Sequence, residues 1–263
     1  MVRRLQERAA RALPTEHVEH LDGWWLRHTA SATWWAGAVL PHAAARSDEL
    51  ARPERTRSEA LLRGVVAAER FYARHDAPAL FQISPGACPE PLDVLLAQRG
   101  YRWDGPLSLQ VAETSHVAAQ APDVSVQVQL EPAPTDAWFA LWDAVHGPVS
   151  DRHVEWAMLE RVQLPSAYAT AILDGELVGV GRAVLDDGWA GVFGMAALPR
   201  ARGRHVGRGI LAALAQWAAA REAEHLYLQV DRGNTPALRL YANVGFDEVC
   251  RYHYRIAAAP NRL

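Results

Sequence analysis

Ala197-Leu198-Pro199-Arg200-Ala201-Arg202-Gly203-Arg204-His205-Val206-Gly207-Arg208-Gly209-Ile210 separates a strand-like run from a helix-like one, and that placement decides the fold. Before it, residues 190–198 read as a strand that Pro199 ends. After it, Val206, Ile210, Leu214 and Trp217 share one face of a helix over 206–220. A glycine-rich turn from strand into helix suits an anion such as a phosphate. Glycines let backbone N–H groups approach without a Cβ in the way, and the helix N-terminus adds partial positive charge. Arg204 and Arg208 supply full charges on either side.

Working outward, residues 226–230 (LYLQV) form a short buried strand, 235–243 a helix that Gly245 stops, and 246–256 a closing strand. Upstream, residues 124–130 alternate as a strand does, and 137–145 and 151–162 have helical apolar spacing. Strands 167–173 and 177–185 then flank Asp174-Gly175, a dipeptide that favours a tight hairpin. A second signature lies one helix and one strand beyond the loop: Asn234-Thr235-Pro236-Ala237-Leu238-Arg239-Leu240-Tyr241, followed by Gly245-Phe246.

With both signatures in place, residues 124–256 resemble the GNAT superfamily of N-acetyltransferases, whose loop reads Arg or Gln, two residues, Gly, one residue, Gly or Ala. The resemblance implies acetyl-CoA, or another acyl-CoA, as donor, with the pyrophosphate held by Arg204, His205, Val206, Gly207, Arg208 and Gly209. It implies that pantetheine pairs with the backbones of Met195, Ala196, Ala197 and Leu198, that Asn234 contacts the pantetheine arm and that Tyr241 stands beside the sulfur. The chemistry is consistent with this. An amine attacks a thioester carbonyl, a backbone N–H at Ala196 or Ala197 stabilises the oxyanion, and the phenol of Tyr241 protonates the departing thiolate. Many members of the family carry a Glu on the strand before the loop as base, and AGVFGMAAL has no acidic residue. His146, His153, Glu155 and Asp231 lie in segments that could border the acceptor.

The first half repeats part of this plan. WWAGAVLP, ending at Pro41, resembles WAGVFGMAALP, ending at Pro199. Each is followed by an Arg-rich helical stretch, a short strand (81–84 against 226–230) and a helix closing in Gly-aromatic-strand, at Gly100 and at Gly245. Opposite the glycine loop this half has Asp48 and Glu49, and opposite Tyr241 it has Leu96. The expectation is therefore an α/β protein with mixed sheets. Two tandem GNAT-like lobes, each a mostly antiparallel sheet flanked by helices, divide as 1–114, degenerate and without cofactor, and 123–258, catalytic. The small, polar stretch 112–122 is read as the linker. Trp24, Trp25, Trp34 and Trp35 are expected in packing.

The 263 residues, half of them hydrophobic and ten of them Trp, can bury a sizeable core. The formal charge of −3 gives no overall pull toward nucleic acid or anionic lipid. Cys88 and Cys250 have no ligand-type spacing, so neither a structural metal nor a disulfide framework is expected, and a reducing cytoplasm suits them. The N-terminal run MVRRLQERAARALP is an amphipathic helix without the apolar core of a signal peptide, and no run is long enough to span a bilayer. The expected partner is a small-molecule primary amine, and the chain is expected to be a monomer or homodimer. Two other readings remain open: a longer acyl-CoA or carrier-protein thioester as donor, and a coenzyme A-binding regulatory module without turnover.

Overall fold

The computed structural model describes residues 1–30, 34–42, 53–120, 126–147 and 151–258, with Trp34 and Trp35 described in backbone only. Asp48 and Glu49 lie outside the described residues. The chain forms two compact units: Met1–Leu107 with Cys250–Leu263, and Ser108–Val249.

The second unit holds the elements around the glycine loop. Strands β5 (Val126–Glu131), β6 (Ser166–Leu173), β7 (Glu176–Asp186) and β8 (Trp189–Ala197) run antiparallel in sequence order. Asp174 and Gly175 join β6 to β7 with φ of 54° and 81°, the two left-handed residues that a type I′ turn needs to match strand twist. β9 (His225–Asp231) adds to β8 in parallel and has β4 (Arg102–Glu113) on its other side. Helices α5 (Asp136–His146) and α6 (Arg152–Glu160) lie between β5 and β6 in sequence. Thr135 and Asp151 cap them, accepting from the amides of Trp138 and His153. Helix α7 (Val206–Ala219) follows the loop, and α8 (Thr235–Asn243) follows β9.

α7 sits close on the sheet because β7 offers glycines at alternate positions, on the face it presents to the helix. A Cβ at Gly179 would stand 2.5 Å from Val206 Cγ1, and one at Gly181 would stand 2.8 Å from Ile210 Cγ2. Ile210, Leu214, Leu226 and Val244 are fully buried in the resulting core.

The first unit contains α1 (Val2–Ala12), the hairpin β1 (His17–Leu21) and β2 (Trp24–His28), α2 (Glu54–Ala73), β3 (Leu80–Ile83) and α3 (Leu92–Gln98). Trp24 is buried edge-on to Phe81 at 6.1 Å, and its ring passes where a Cβ on Gly64 would be. The run WWAGAVLP does not form the strand expected of it. Trp34–Gly37 is a 3-10 turn, and only Val39 and Leu40 bridge, to Phe81 and Trp25.

Chain order and unit order differ. β4 starts in the first unit and ends, from residue 108, in the second. β10 (Asp247–Ile256) starts in the second and from residue 250 belongs to the first, where it pairs with β3. The stretch read as a linker contributes α4 (Thr114–Ala118), with Val117 buried and Gln216 Nε2 donating to the Ala118 carbonyl at 3.4 Å. The sequence reading divides the chain at 114 and 123, whereas the units divide it within β4 and within β10.

Candidate active site

β8 and β9 pair from Trp189 opposite His225 to Val192 opposite Leu228, and then both strands continue without pairing to each other. The ladder to β7 tells which groups of β8 face this wedge. Leu198 N donates to Val178 O at 2.9 Å, and the register places Ala197 opposite Gly179 and Ala196 opposite Val180. Antiparallel pairs alternate between bonded and non-bonded, so Ala196 turns its N–H to β7 and Ala197 turns its N–H to the β9 side. Of Met195, Ala196, Ala197 and Leu198, Ala197 offers the free amide, and Leu198 has no N–H to spare. A bulge at Gly194, φ 61°, shifts the register between Val180 and Arg182 and leaves Met195 beside the break.

The loop turns through two left-handed residues, Gly203 at φ 76° and His205 at φ 59°. For His205 this conformation costs about 1–2 kcal/mol. α7 begins at the next residue. Gly209 N donates to His205 O at 2.9 Å, the first bond of the helix, and no side chain caps the turn. Among the described residues the amides of Val206, Gly207 and Arg208 therefore have no protein partner, which is the arrangement an anion needs. Arg204 Nη2 pairs with Asp174 Oδ2 at 2.9 Å, and Arg208 Nη2 donates to Gln120 Oε1 at 3.1 Å, so one guanidinium meets a carboxylate and the other a neutral amide. Gly207 has a packing reason as well: a Cβ there would stand 2.7 Å from Leu240 Cδ2 on α8.

Asn234 caps α8, its Oδ1 accepting from Ala237 N at 3.2 Å. Tyr241, two residues from the end of α8, is buried with its ring 5.8 Å from Phe246. Its hydroxyl has no hydrogen-bond partner among the described residues, and burial pushes its pKa up to about 12. It stays protonated through the neutral range.

α5 packs at the bulge. Trp138 Nε1 donates to Gly181 O at 3.0 Å, satisfying a carbonyl beside the register break, and the rings of Trp138 and Trp142 close on Gly194. Below them Arg182 is fully buried, its guanidinium 5.0 Å from the Phe193 ring and bonded to Tyr168, with Tyr227 and Glu155 in its field. The sequence reading did not single out Arg182 or the bulge. Glycines at 179, 181 and 194 within apolar strands are the signal that could have marked close approach there. Of the four residues considered as bases, Asp231 Oδ1 accepts from Gly233 N in a turn, His153 is exposed in the first turn of α6, and Glu155 is buried near Arg182. His146, the last residue of α5, is exposed, with its ring 5.1 Å from the Trp142 ring.

No described helix is long and apolar enough to cross a membrane, and among the described residues no group of three or more His, Cys, Asp or Glu could hold a metal. Residues 131–246 match the Acetyltransferase (GNAT) family. A Bacillus subtilis (strain 168) protein named Uncharacterized N-acetyltransferase YobR is 25% identical over 257 residues, 97% of this chain and 98% of its own. A GCN5-related N-acetyltransferase from Kribbella flavida superposes with a TM-score of 0.72 over 98% of this chain and 95% of its own, at 14% identity. A tandem GNAT protein from the clavulanic acid biosynthesis pathway superposes with a TM-score of 0.60 over 75% and 69%, at 15% identity. The wedge between β8 and β9 and the uncapped turn at Val206 both lie within the stretch 131–246 that matches the GNAT acetyltransferase family.

Proposed function

We propose that the second unit transfers an acetyl group from acetyl-CoA to a primary amine of a small molecule by direct attack. The observation that carries this reading is the unpaired backbone at the end of β8: the Ala197 N–H on the wedge side and, across the loop, the free amides of Val206, Gly207 and Arg208. These donors fit the group that the family uses. The loop amides and Arg204 and Arg208 would hold its pyrophosphate, the amide of Asn234 left over from capping would meet its arm, and Ala197 would meet its carbonyl oxygen.

When bound, acetyl-CoA supplies an acyl carbon activated as a thioester. The chain does the rest. Ala197 N–H donates to the carbonyl oxygen as negative charge grows there, and it needs no reorganisation because strand pairing already fixes its direction. Tyr241 gives its phenolic proton to the departing sulfur. An anion at the first turn of α7 gains roughly 0.3–1 kcal/mol from the helix dipole, and up to about 2 in a partly buried setting.

The test is release of free thiol from acetyl-CoA across a panel of small primary amines, with mass analysis of products and calorimetric titration of coenzyme A. Amide products establish transfer. Binding without turnover on any amine favours the regulatory module, and turnover only with longer acyl donors favours the other acyltransferase reading. We propose further that the first unit holds no cofactor.

A further inference from the structure

We propose that Trp138 is a positioning residue that locks the bulge at Gly194 and thereby makes Ala197, and not Ala196, the amide turned into the wedge. Its effect on rate rests on the acyl-transfer reading above, whereas its effect on the strand does not. From Asp186 opposite Trp189 to Arg182 opposite Phe193, each step along β7 is matched by one step along β8. The next pair is Val180 with Ala196, so β7 passes one residue, Gly181, while β8 passes two, Gly194 and Met195. Without the extra residue the register would set Ala197 opposite Val178 and Ala196 opposite Gly179. Val178 is the residue whose carbonyl bonds β8, so Ala197 would then turn its N–H to β7 and Ala196 would face the β9 side. The extra residue reverses this.

The side chains record the same change of phase. Phe193 lies 5.0 Å from the Arg182 guanidinium, and a Cβ at Gly191 would meet its ring, so residues 191 and 193 share one face. Unbroken alternation would put Met195 there too. Instead its Sδ stands 2.5 Å from where a Cβ at Gly181 would be, on the face that Ile210 of α7 covers.

β8 itself does not hold the extra residue in place. Gly194 lies at φ 61°, a conformation that glycine enters and leaves at little cost, and Met195, Ala196 and Ala197 have no polar side chain to pin the register. The indole of Trp138 spans the break. Nε1 donates at 3.0 Å to the carbonyl of Gly181, the residue that β7 passes alone, while Cη2 and Cζ2 stand 3.2 and 3.4 Å from where a Cβ at Gly194 would be. A slip to the unbulged register would set Met195 opposite Val180 and bring its side chain to the place of Ala196, which packs in one cluster with Trp138, Val180 and Tyr168. The larger side chain would overfill that cluster. Trp138 is itself fixed: its backbone N–H donates to Thr135 Oγ1 at 3.1 Å, and its ring is buried edge-on to Tyr168 at 5.3 Å.

The experiment replaces Trp138 in the full chain with benzothienylalanine, the sulfur isostere of tryptophan that keeps the ring shape and has no N–H. Trp138→Phe and Phe139→Leu accompany it. Phe139 is equally buried on α5 and packs on Trp156 at 5.2 Å, so its substitution loosens the same helix while leaving the bond to Gly181 in place. Amide hydrogen exchange, read by NMR, needs no acceptor. In the wild type the Ala197 N–H should exchange fast and the Ala196 N–H slowly. Both replacements of Trp138 should abolish that difference, and Phe139→Leu should keep it although its melting temperature falls. With an amine that turns over, the Trp138 replacements should lose up to about 10²-fold in kcat, the cost of a misplacement of about 1 Å, while KM for acetyl-CoA and coenzyme A affinity hold. The proposal is overturned by a wild-type exchange pattern in the isostere, by its equal loss in Phe139→Leu, or by a rise in KM at constant kcat. If Trp138→Phe does not fold, the isostere decides alone. Absence of turnover in the wild type on every amine would instead overturn the acyl-transfer reading, and exchange would still report on Trp138.

Discussion

Tyr241 sits in an apolar setting that raises its pKa to about 12, so the phenol holds its proton throughout any practical assay range. Tyr241→Phe removes the oxygen and keeps the ring against Phe246. We expect turnover to fall about 10²–10⁴-fold while coenzyme A affinity and melting temperature barely move, read from steady-state rates and calorimetry on the same preparations. Equal turnover would leave Tyr241 as packing alone. Asp174 bears on the proposed pyrophosphate site through Arg204. It holds Arg204 at 2.9 Å in an exposed pair worth about 0–1 kcal/mol, so Asp174→Asn should tighten coenzyme A binding by up to about fivefold at low salt, and less as salt rises. Asn234 shows why a residue can be legible as important without its duty being legible. A helix cap and a ligand contact both call for a short polar side chain before a helix, and only geometry reveals that Oδ1 is already spent on Ala237 N.

At the scale of elements, β7 and α7 are coupled through glycines. A Cβ at residue 181 would stand 2.5 Å from Met195 Sδ and 2.8 Å from Ile210 Cγ2, so Gly181→Ala should destabilise by about 1–3 kcal/mol through overpacking, measured by urea unfolding. Because Met195 is one of the two neighbours, activity should fall at temperatures where the variant remains folded. The β1–β2 hairpin carries a different liability. His75 stacks on His17 at 4.3 Å and on His28 at 4.8 Å, and burial together with repulsion from these rings lowers the pKa of His28. Burial lowers His42 as well, beside Glu7. A folded state with lowered histidine pKa values binds fewer protons than the unfolded chain, so stability is full above 6.5 and is lost as pH falls below it. The melting temperature should drop between pH 7 and pH 5, and His75→Ala should flatten that slope. A flat profile in the wild type would remove the hairpin from the account of acid sensitivity.

For the whole molecule, the division into units shapes what can be cut and counted. A fragment starting at residue 123 loses 108–113 of β4 and all of α4 from the second unit, and one ending at 114 loses from the first unit the part of β10 that pairs with β3. Each fragment alone should aggregate or lack a cooperative melt by circular dichroism. A monomeric, active C-terminal fragment would contradict this. Titration of the full chain should saturate at one coenzyme A, since the first half lacks a counterpart of the β8 strand at Trp34–Gly37; two sites would refute a degenerate first unit. The sequence by itself determined the elements of the second half, because the periods of apolar residues, the Asp174-Gly175 turn and the stop at Gly245 are all written within a few residues. It also marked the turn before α7 as a candidate anion site, since glycines, arginines and a helix start occur in one string. Only the tertiary structure decided how the closing strands divide between the units and which amide of β8 is free. Those depend on register and on contacts between residues dozens of positions apart, and local patterning carries no record of either.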